Sequence, residues 1–85
     1  MKNPKKQKQQ VIWYLYNWDE LTLKDVINDS LFHKFQTRLS EIELKFGIIT
    51  KKTRHTFTNK FGNSGSFYSY KAIDKNKLEL LYEVV

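Results

Sequence analysis

Eighty-five residues without a cysteine leave room for one small domain and exclude disulfides, thiol chemistry and any zinc site built on cysteine. The net charge is +6, from 15 Lys and Arg against 9 Asp and Glu, and no apolar run approaches the roughly 20 residues of a membrane-spanning helix. Two Trp, five Tyr and six Phe supply enough ring area for a core without staples.

Asn3-Pro4 reads as a helix start, with Asn3 as the cap and Pro4 at the first helical position. The helix is predicted to run to about Asn17, with Val11, Ile12, Leu15 and Tyr16 on one side. The Lys/Gln stretch before Val11 favours helix over strand. Trp13 and Tyr14 fall off that side, and either need another neighbour or are exposed. The basic start followed by Val11 to Tyr16 has the outline of a secretion signal. The bulky rings in the run, and Asp19-Glu20 where small residues belong, argue against one. The cytoplasm is therefore the expected location.

Thr22 is placed to cap a short second helix through Asn28, with Leu23, Val26 and Ile27 inward. Asn28-Asp29-Ser30 is turn chemistry. Ser30 then caps a third helix, in which Phe32, Phe35, Leu39, Ile42 and Phe46 recur at steps of three and four as one apolar stripe. Gly47 ends it as a left-handed cap. Ile48 to Thr58 has strand composition, Lys60 to Gly65 reads as a loop with two glycines, and Phe67 to Ile73 is a second strand. Asp74 caps a last helix, about 75–84, with Leu78, Leu81, Tyr82 and Val85 on one stripe. Met1–Lys2, the hairpin tip and the extreme C-terminus are expected to be mobile.

The expected fold is α+β: three helices, a β-hairpin and a short C-terminal helix, in one domain over 1–85 with its core in about 4–73. Helix, helix, helix, basic hairpin is the winged helix-turn-helix order. Thr37-Arg38-Leu39-Ser40-Glu41-Ile42-Glu43 followed by Gly47-Ile48-Ile49 resembles the end of a winged-helix reading helix entering its first wing strand. The similarity is closest to small helix-turn-helix proteins of bacteriophages and mobile elements, with Phe67-Tyr68-Ser69-Tyr70 as the aromatic wing strand. It covers roughly Lys6 to Ile73. The resemblance implies duplex DNA as partner, with the third helix in the major groove and the wing on the flanking backbone or minor groove. It further implies a small transcriptional regulator or accessory DNA-binding factor. Winged helices also dock proteins, so an adaptor or inhibitor with no DNA target is the alternative. The acidic middle, with Asp19, Glu20, Asp25 and Asp29, would then face a basic partner.

Charge is distributed in blocks. Residues 1–16 carry four Lys and no acid, and residues 44–73 carry six bases and no acid. Such blocks suit phosphate binding. With the Phe32-to-Phe46 stripe inward, the outward arc of the third helix holds His33, Lys34, Gln36, Thr37, Ser40 and Glu41. Reading helices contact bases mainly with their N-terminal half. His33, Lys34, Gln36 and Thr37 are thus the candidate base contacts, with Ser40 further along. Gln suits the adenine edge, Lys guanine or phosphate, and Thr several edges. Glu41 repels phosphate and is read as a local partner of Arg38 or Lys45.

On the wing, Lys51, Lys52, Arg54 and Lys60 are candidate contacts. Lys52 and Arg54 share a face and Lys51 takes the other. Arg54, taken as near the tip, suits a minor groove, and Lys52 and Lys60 suit phosphates. The competing role for these cations is protection of an edge strand. Phe61 either anchors on the domain or touches a partner. Lys2, Lys5, Lys6 and Lys8 lie where a helix dipole prefers negative charge. They are phosphate contacts or a solvated arm. His33 and His55 lack the convergent groups of a metal site or nucleophilic triad, and there is no phosphate loop or dinucleotide fingerprint. A non-enzyme without cofactor or metal is expected. Trp13, Tyr14, Leu78, Leu81 and Tyr82 offer a homodimer surface, unless the first and last helices pack together within one chain.

Overall fold

Gln9 decides where the first helix begins. Its Oε1 accepts the backbone N–H groups of Lys5 and Lys6 at 3.0 and 3.2 Å, the reach-back half of a capping box. Lys6 is extended and α1 spans Gln7–Asn17, so the Asn3-Pro4 signal does not start it. The computed structural model describes residues 2–26 and 33–85. Val11, Ile12 and Leu15 of α1 are buried. Trp13 and Tyr14 find their neighbour in Trp18, with ring centroids 5.1 to 5.8 Å apart across the three rings.

A strand absent from the sequence reading follows. β1, Leu21–Thr22, pairs antiparallel with Tyr70 and Ser69. Two residues are too few to leave an alternating pattern. Leu23–Val26 then forms one 3₁₀ turn. Thr22 donates from its N–H and its hydroxyl to Asp25 Oδ2, at 2.8 and 3.3 Å. Strand and turn occupy the first portion of the segment predicted as a second helix. The rest of that segment, together with the Asn28-Asp29-Ser30 turn, the Ser30 cap and Phe32, lies outside the described residues.

Helix α2 is Phe35–Phe46 and buries Phe35, Leu39 and Ile42, with Phe46 partly covered. Gly47 ends it, as expected, but at φ 95°, ψ 170°. That is an extended positive-φ conformation open essentially to glycine alone, not a left-handed helical cap. Lys77 closes the end further, donating from Nζ to the Phe46 carbonyl at 3.2 Å. A cation is favoured where the helix dipole is negative.

Glu43, in the last turn of α2, aligns the first wing strand. Its Oε2 accepts from the N–H of Ile49, the N–H of Thr50 and the Thr50 hydroxyl, at 2.9, 3.3 and 3.1 Å. β2, Thr50–Thr58, and β3, Ser64–Ala72, pair in register from Thr50↔Ala72 to Thr58↔Ser64. The hairpin loop is therefore shorter than predicted, and Ser64 and Gly65 belong to the strand. The sheet order is β1-β3-β2, all antiparallel.

Asp74 caps α3, Lys75–Val84, accepting from Asn76 N–H at 2.9 Å. Leu78, Leu81 and Tyr82 are buried in the core with Val11, Ile12 and Leu15 of α1. Three residues offered above for a homodimer surface are thus consumed by packing within the chain, and Trp13 and Tyr14 are partly covered against the same core. The Tyr16 hydroxyl donates to Glu79 at 2.6 Å across this helix pair. That bond, with the carboxylate charge, raises the phenol pKa. Tyr82 donates to the Lys2 carbonyl, which ties the start of the basic segment to α3; Met1 lies outside the described residues. The fold is α+β, three α-helices and a three-stranded antiparallel sheet among the described residues. No helix among the described residues is long and apolar enough to cross a membrane.

Candidate nucleic-acid interface

The β2–β3 hairpin leaves the core soon after it starts. Its buried residues, Thr50, Ser69 and Tyr70, all lie at its base. Beyond them runs a two-stranded ribbon, and the molecule measures 46 × 24 × 21 Å. An isolated two-stranded ribbon is marginal in water, so its own side chains must hold it. On one face His55 stacks on Phe67 at 4.9 Å, and Phe57 leans on Phe67 at 6.3 Å. The Phe57 ring also covers Gly65: a Cβ there would meet Phe57 Cζ at 2.6 Å. An aromatic lying over a strand glycine restores the contact that the missing side chain forfeits.

At the base of that face, His55 Nε2 lies 2.9 Å from Ser69 Oγ and 3.3 Å from Glu20 Oε1, and Ser69 donates to Glu20 at 2.6 Å. In a Ser–His–acid triad the acid engages the ring nitrogen remote from the serine. Here the acid meets the same nitrogen and the serine itself, and Ser69 is 2% exposed. The group is a clip between the residue before β1 and both wing strands. The Ser69 hydroxyl, aided by His55 and Lys71, holds the Glu20 carboxyl below its ordinary range against the opposing effect of desolvation. Sequence reasoning missed this clip because nothing local links residue 20 to residues 55 and 69.

The opposite ribbon face carries Lys52 and Arg54. Register pairs Lys52 with Tyr70 and Arg54 with Tyr68, and side chains of directly paired residues share a face. Lys52 Nζ stands 4.9 Å from the Tyr68 ring and 5.7 Å from the Tyr70 ring. Gln36 on α2 donates from Nε2 to the Tyr70 hydroxyl at 3.0 Å, so the N-terminal turn of α2 docks at the foot of this same face. The exposed Thr37 and Ser40 lie on the outer side of α2. Lys34 is exposed just before the helix, and His33 precedes it in the chain, also exposed. The structure thus brings Gln36, Lys52 and Arg54 to one side of the molecule. Lys51 takes the other face, and Lys60 is in the tip.

Three details revise the candidate set. Arg54 is not near the tip: it pairs mid-strand with Tyr68, while the tip is the loop between Thr58 and Ser64. Gln36 gives its amide to Tyr70 and is at least partly structural. Glu41 is neutralised by Arg38 at 2.7 Å and Lys8 at 3.5 Å, which leaves no free carboxylate there to repel phosphate and removes Lys8 from the N-terminal cluster.

Two residues were missed. Leu44 is 88% exposed on α2, four residues beyond Ser40; its place off the Phe35-to-Phe46 stripe was readable. Lys71 lies directly across from Lys51, a like-charge pair that works against the strand pairing; finding it required the register. Among the described residues, Lys51, Lys52, Arg54 and Lys60 form no ion pair. The acids of the middle segment are engaged within the chain instead: Asp19 with Lys75, Glu20 in the clip, Asp25 with Thr22; Asp29 lies outside the described residues. No group of three or more His, Cys, Asp or Glu that could hold a metal occurs among the described residues. Compared with family models, curated proteins and solved structures, the chain has no significant match.

Proposed function

We propose that this chain is a winged helix-turn-helix protein that binds duplex DNA, as a small regulator or accessory DNA-binding factor. α2 is its reading helix and the β2–β3 ribbon its wing. One observation carries the reading. The ribbon face that bears Lys52 and Arg54 begins where Gln36 of α2 meets Tyr70, and no acid among the described residues balances its cations. Edge protection accounts for cations on β2, which is an edge of the sheet, but it does not call for a like-charge pair across the ladder, Lys51 facing Lys71. Phosphates supply the missing partner. The β1-β3-β2 order, with a helix on either side of β1 in sequence and the hairpin after α2, also supports the winged-helix reading. In this arrangement Thr37, Ser40 and Leu44 present small polar and methyl groups to base edges.

The test is binding of a mixed-sequence duplex, followed by fluorescence anisotropy over a salt series. The observed constant should fall with salt at a slope of about 0.9 per phosphate contacted. Lys52→Ala, Arg54→Ala and Lys60→Ala together should flatten that slope. Absence of binding at low salt removes the proposal, and an unchanged slope removes the wing from it. A protein-docking role would leave the duplex unbound at every salt concentration.

A further inference from the structure

The tip of the ribbon holds a side chain that the fold does not use. Phe61 is 77% exposed, and Lys60 Nζ stands 5.1 Å from its ring centroid. Its backbone is nevertheless held in place. Asn59 Oδ1 accepts from the N–H groups of Phe61 and Asn63 at 2.9 and 3.1 Å. Asn59 N–H donates to the Asn63 carbonyl at 2.8 Å, and Gly62 N–H to the Asn59 carbonyl at 3.0 Å. Gly62 sits at φ 82°, the positive-φ residue that lets the loop close. The loop is a self-contained turn that fixes the backbone beneath Phe61 without help from the core.

Below the tip, one ribbon face is slim. Thr56 pairs with Ser66 and Thr58 with Ser64, so the stem carries small hydroxyls on the face shared with Arg54. An exposed apolar ring on a fixed backbone, a neighbouring lysine and a slim hydroxyl-lined stem make a wedge. Apolar side chains of this kind enter the minor groove, unstack a base step and kink the duplex, while adjacent cations and hydroxyls meet the backbone.

We infer that Phe61 is a base-step wedge: the tip inserts from the minor groove and unstacks one step, and Lys60 contacts the flanking phosphate. This rests on the duplex-binding reading and gives the wing a second task, deformation as well as grip. Pyrimidine–purine steps, which unstack most easily, are the preferred points of entry.

The experiment uses the full chain and a mixed-sequence duplex with 2-aminopurine beside a central TA step and a donor–acceptor dye pair at its ends. Wild-type protein should raise the 2-aminopurine fluorescence and shorten the end-to-end distance, corresponding to a kink in the roughly 20–90° range of wedge-bearing proteins. Phe61→Ala should still bind with an unchanged salt slope, yet lose both signals. Phe61→Leu should retain them, since leucine is also a competent wedge. Lys60→Ala should instead flatten the slope and keep the fluorescence rise.

Binding by wild type without unstacking, or equal unstacking by Phe61→Ala, overturns the wedge and leaves duplex binding intact. Failure of wild type to bind the duplex overturns both. A parallel arm uses vesicles of phosphatidylserine and phosphatidylcholine. Phe61-dependent capture on these, with no change in 2-aminopurine, assigns the tip to a lipid surface and overturns the wedge.

Discussion

The amide of Gln36 donates to the hydroxyl of Tyr70, 3.0 Å away, and through that bond the orientation of α2 is tied to that of the wing. Tyr70 is fully buried and packs its ring on Phe35 at 5.4 Å. Phe35 opens α2 and Tyr70 lies mid-sheet, so helix and wing are joined by a ring pair and a hydrogen bond together.

Tyr70→Phe keeps the ring and removes the hydroxyl. A net hydrogen bond contributes about 0.5–1.5 kcal/mol, and stability in urea should fall by an amount in that range. Gln36 is exposed and can turn to water, which favours the low end. A loss above it would mean that the hydroxyl has a further partner.

Glu43→Ala should be more damaging. It leaves the N–H groups of Ile49 and Thr50 without their carboxylate at the point where β2 starts. Hydrogen bonds to a charged group contribute about 1.5–3 kcal/mol, and a total loss of about 2–3 kcal/mol is expected. Glu43→Gln keeps one acceptor oxygen and should recover some of it. Chemical unfolding of both variants measures the difference, and amide shifts of Ile49 and Thr50 locate it.

Gly47→Ala places a Cβ on a backbone at φ 95°, ψ 170°. Space is not the obstacle, since the nearest atom would be Lys77 Nζ at 3.6 Å. The backbone conformation is, and holding a non-glycine residue in it costs of order 1–3 kcal/mol. The melting temperature should drop accordingly. An unchanged value would show that the α2–β2 corner relaxes without strain.

Acid should loosen the wing. The Glu20 carboxyl has a folded-state pKa below its unfolded value, which lies at about 4.3. Its contribution is therefore complete above that pH and is lost as pH falls through the lower, folded value. Wild type should shed stability below about pH 4 partly through this group, and Glu20→Gln should show a shallower acid limb. Parallel limbs for the two proteins would mean that the clip carries no linkage.

Much of the fold is readable because it is periodic. The Phe35-Leu39-Ile42-Phe46 stripe, the Asp74 cap and the β composition on either side of the tip each lie within a few residues of one another. What escaped is non-local or too short. β1 has two residues and exists because Tyr70 and Ser69 are there to pair with. The Gln9 cap overrules Asn3-Pro4, although both are local signals. At the candidate interface, the wing cations are found in the sequence by their lack of acids. Arg54 is misplaced there because composition carries no register: the pairing that puts it four residues short of Thr58, opposite Tyr68, is non-local. Ser64 and Gly65 are read as loop because glycine weakens a strand, whereas Phe57 covers Gly65 within the ladder.

The ribbon beyond the core also has a kinetic meaning. None of residues 54–68 is buried, so their amides are guarded by the ladder, by side chains of the ribbon itself and, at its base, by the Glu20 clip. They should exchange with deuterium through local opening, far sooner than those of Leu78 or Ile12, whose release requires global unfolding. A partner that grips the wing would slow this exchange selectively. The retardation, residue by residue, would then measure how tightly each stretch of the ribbon is held, without reference to any change in the core.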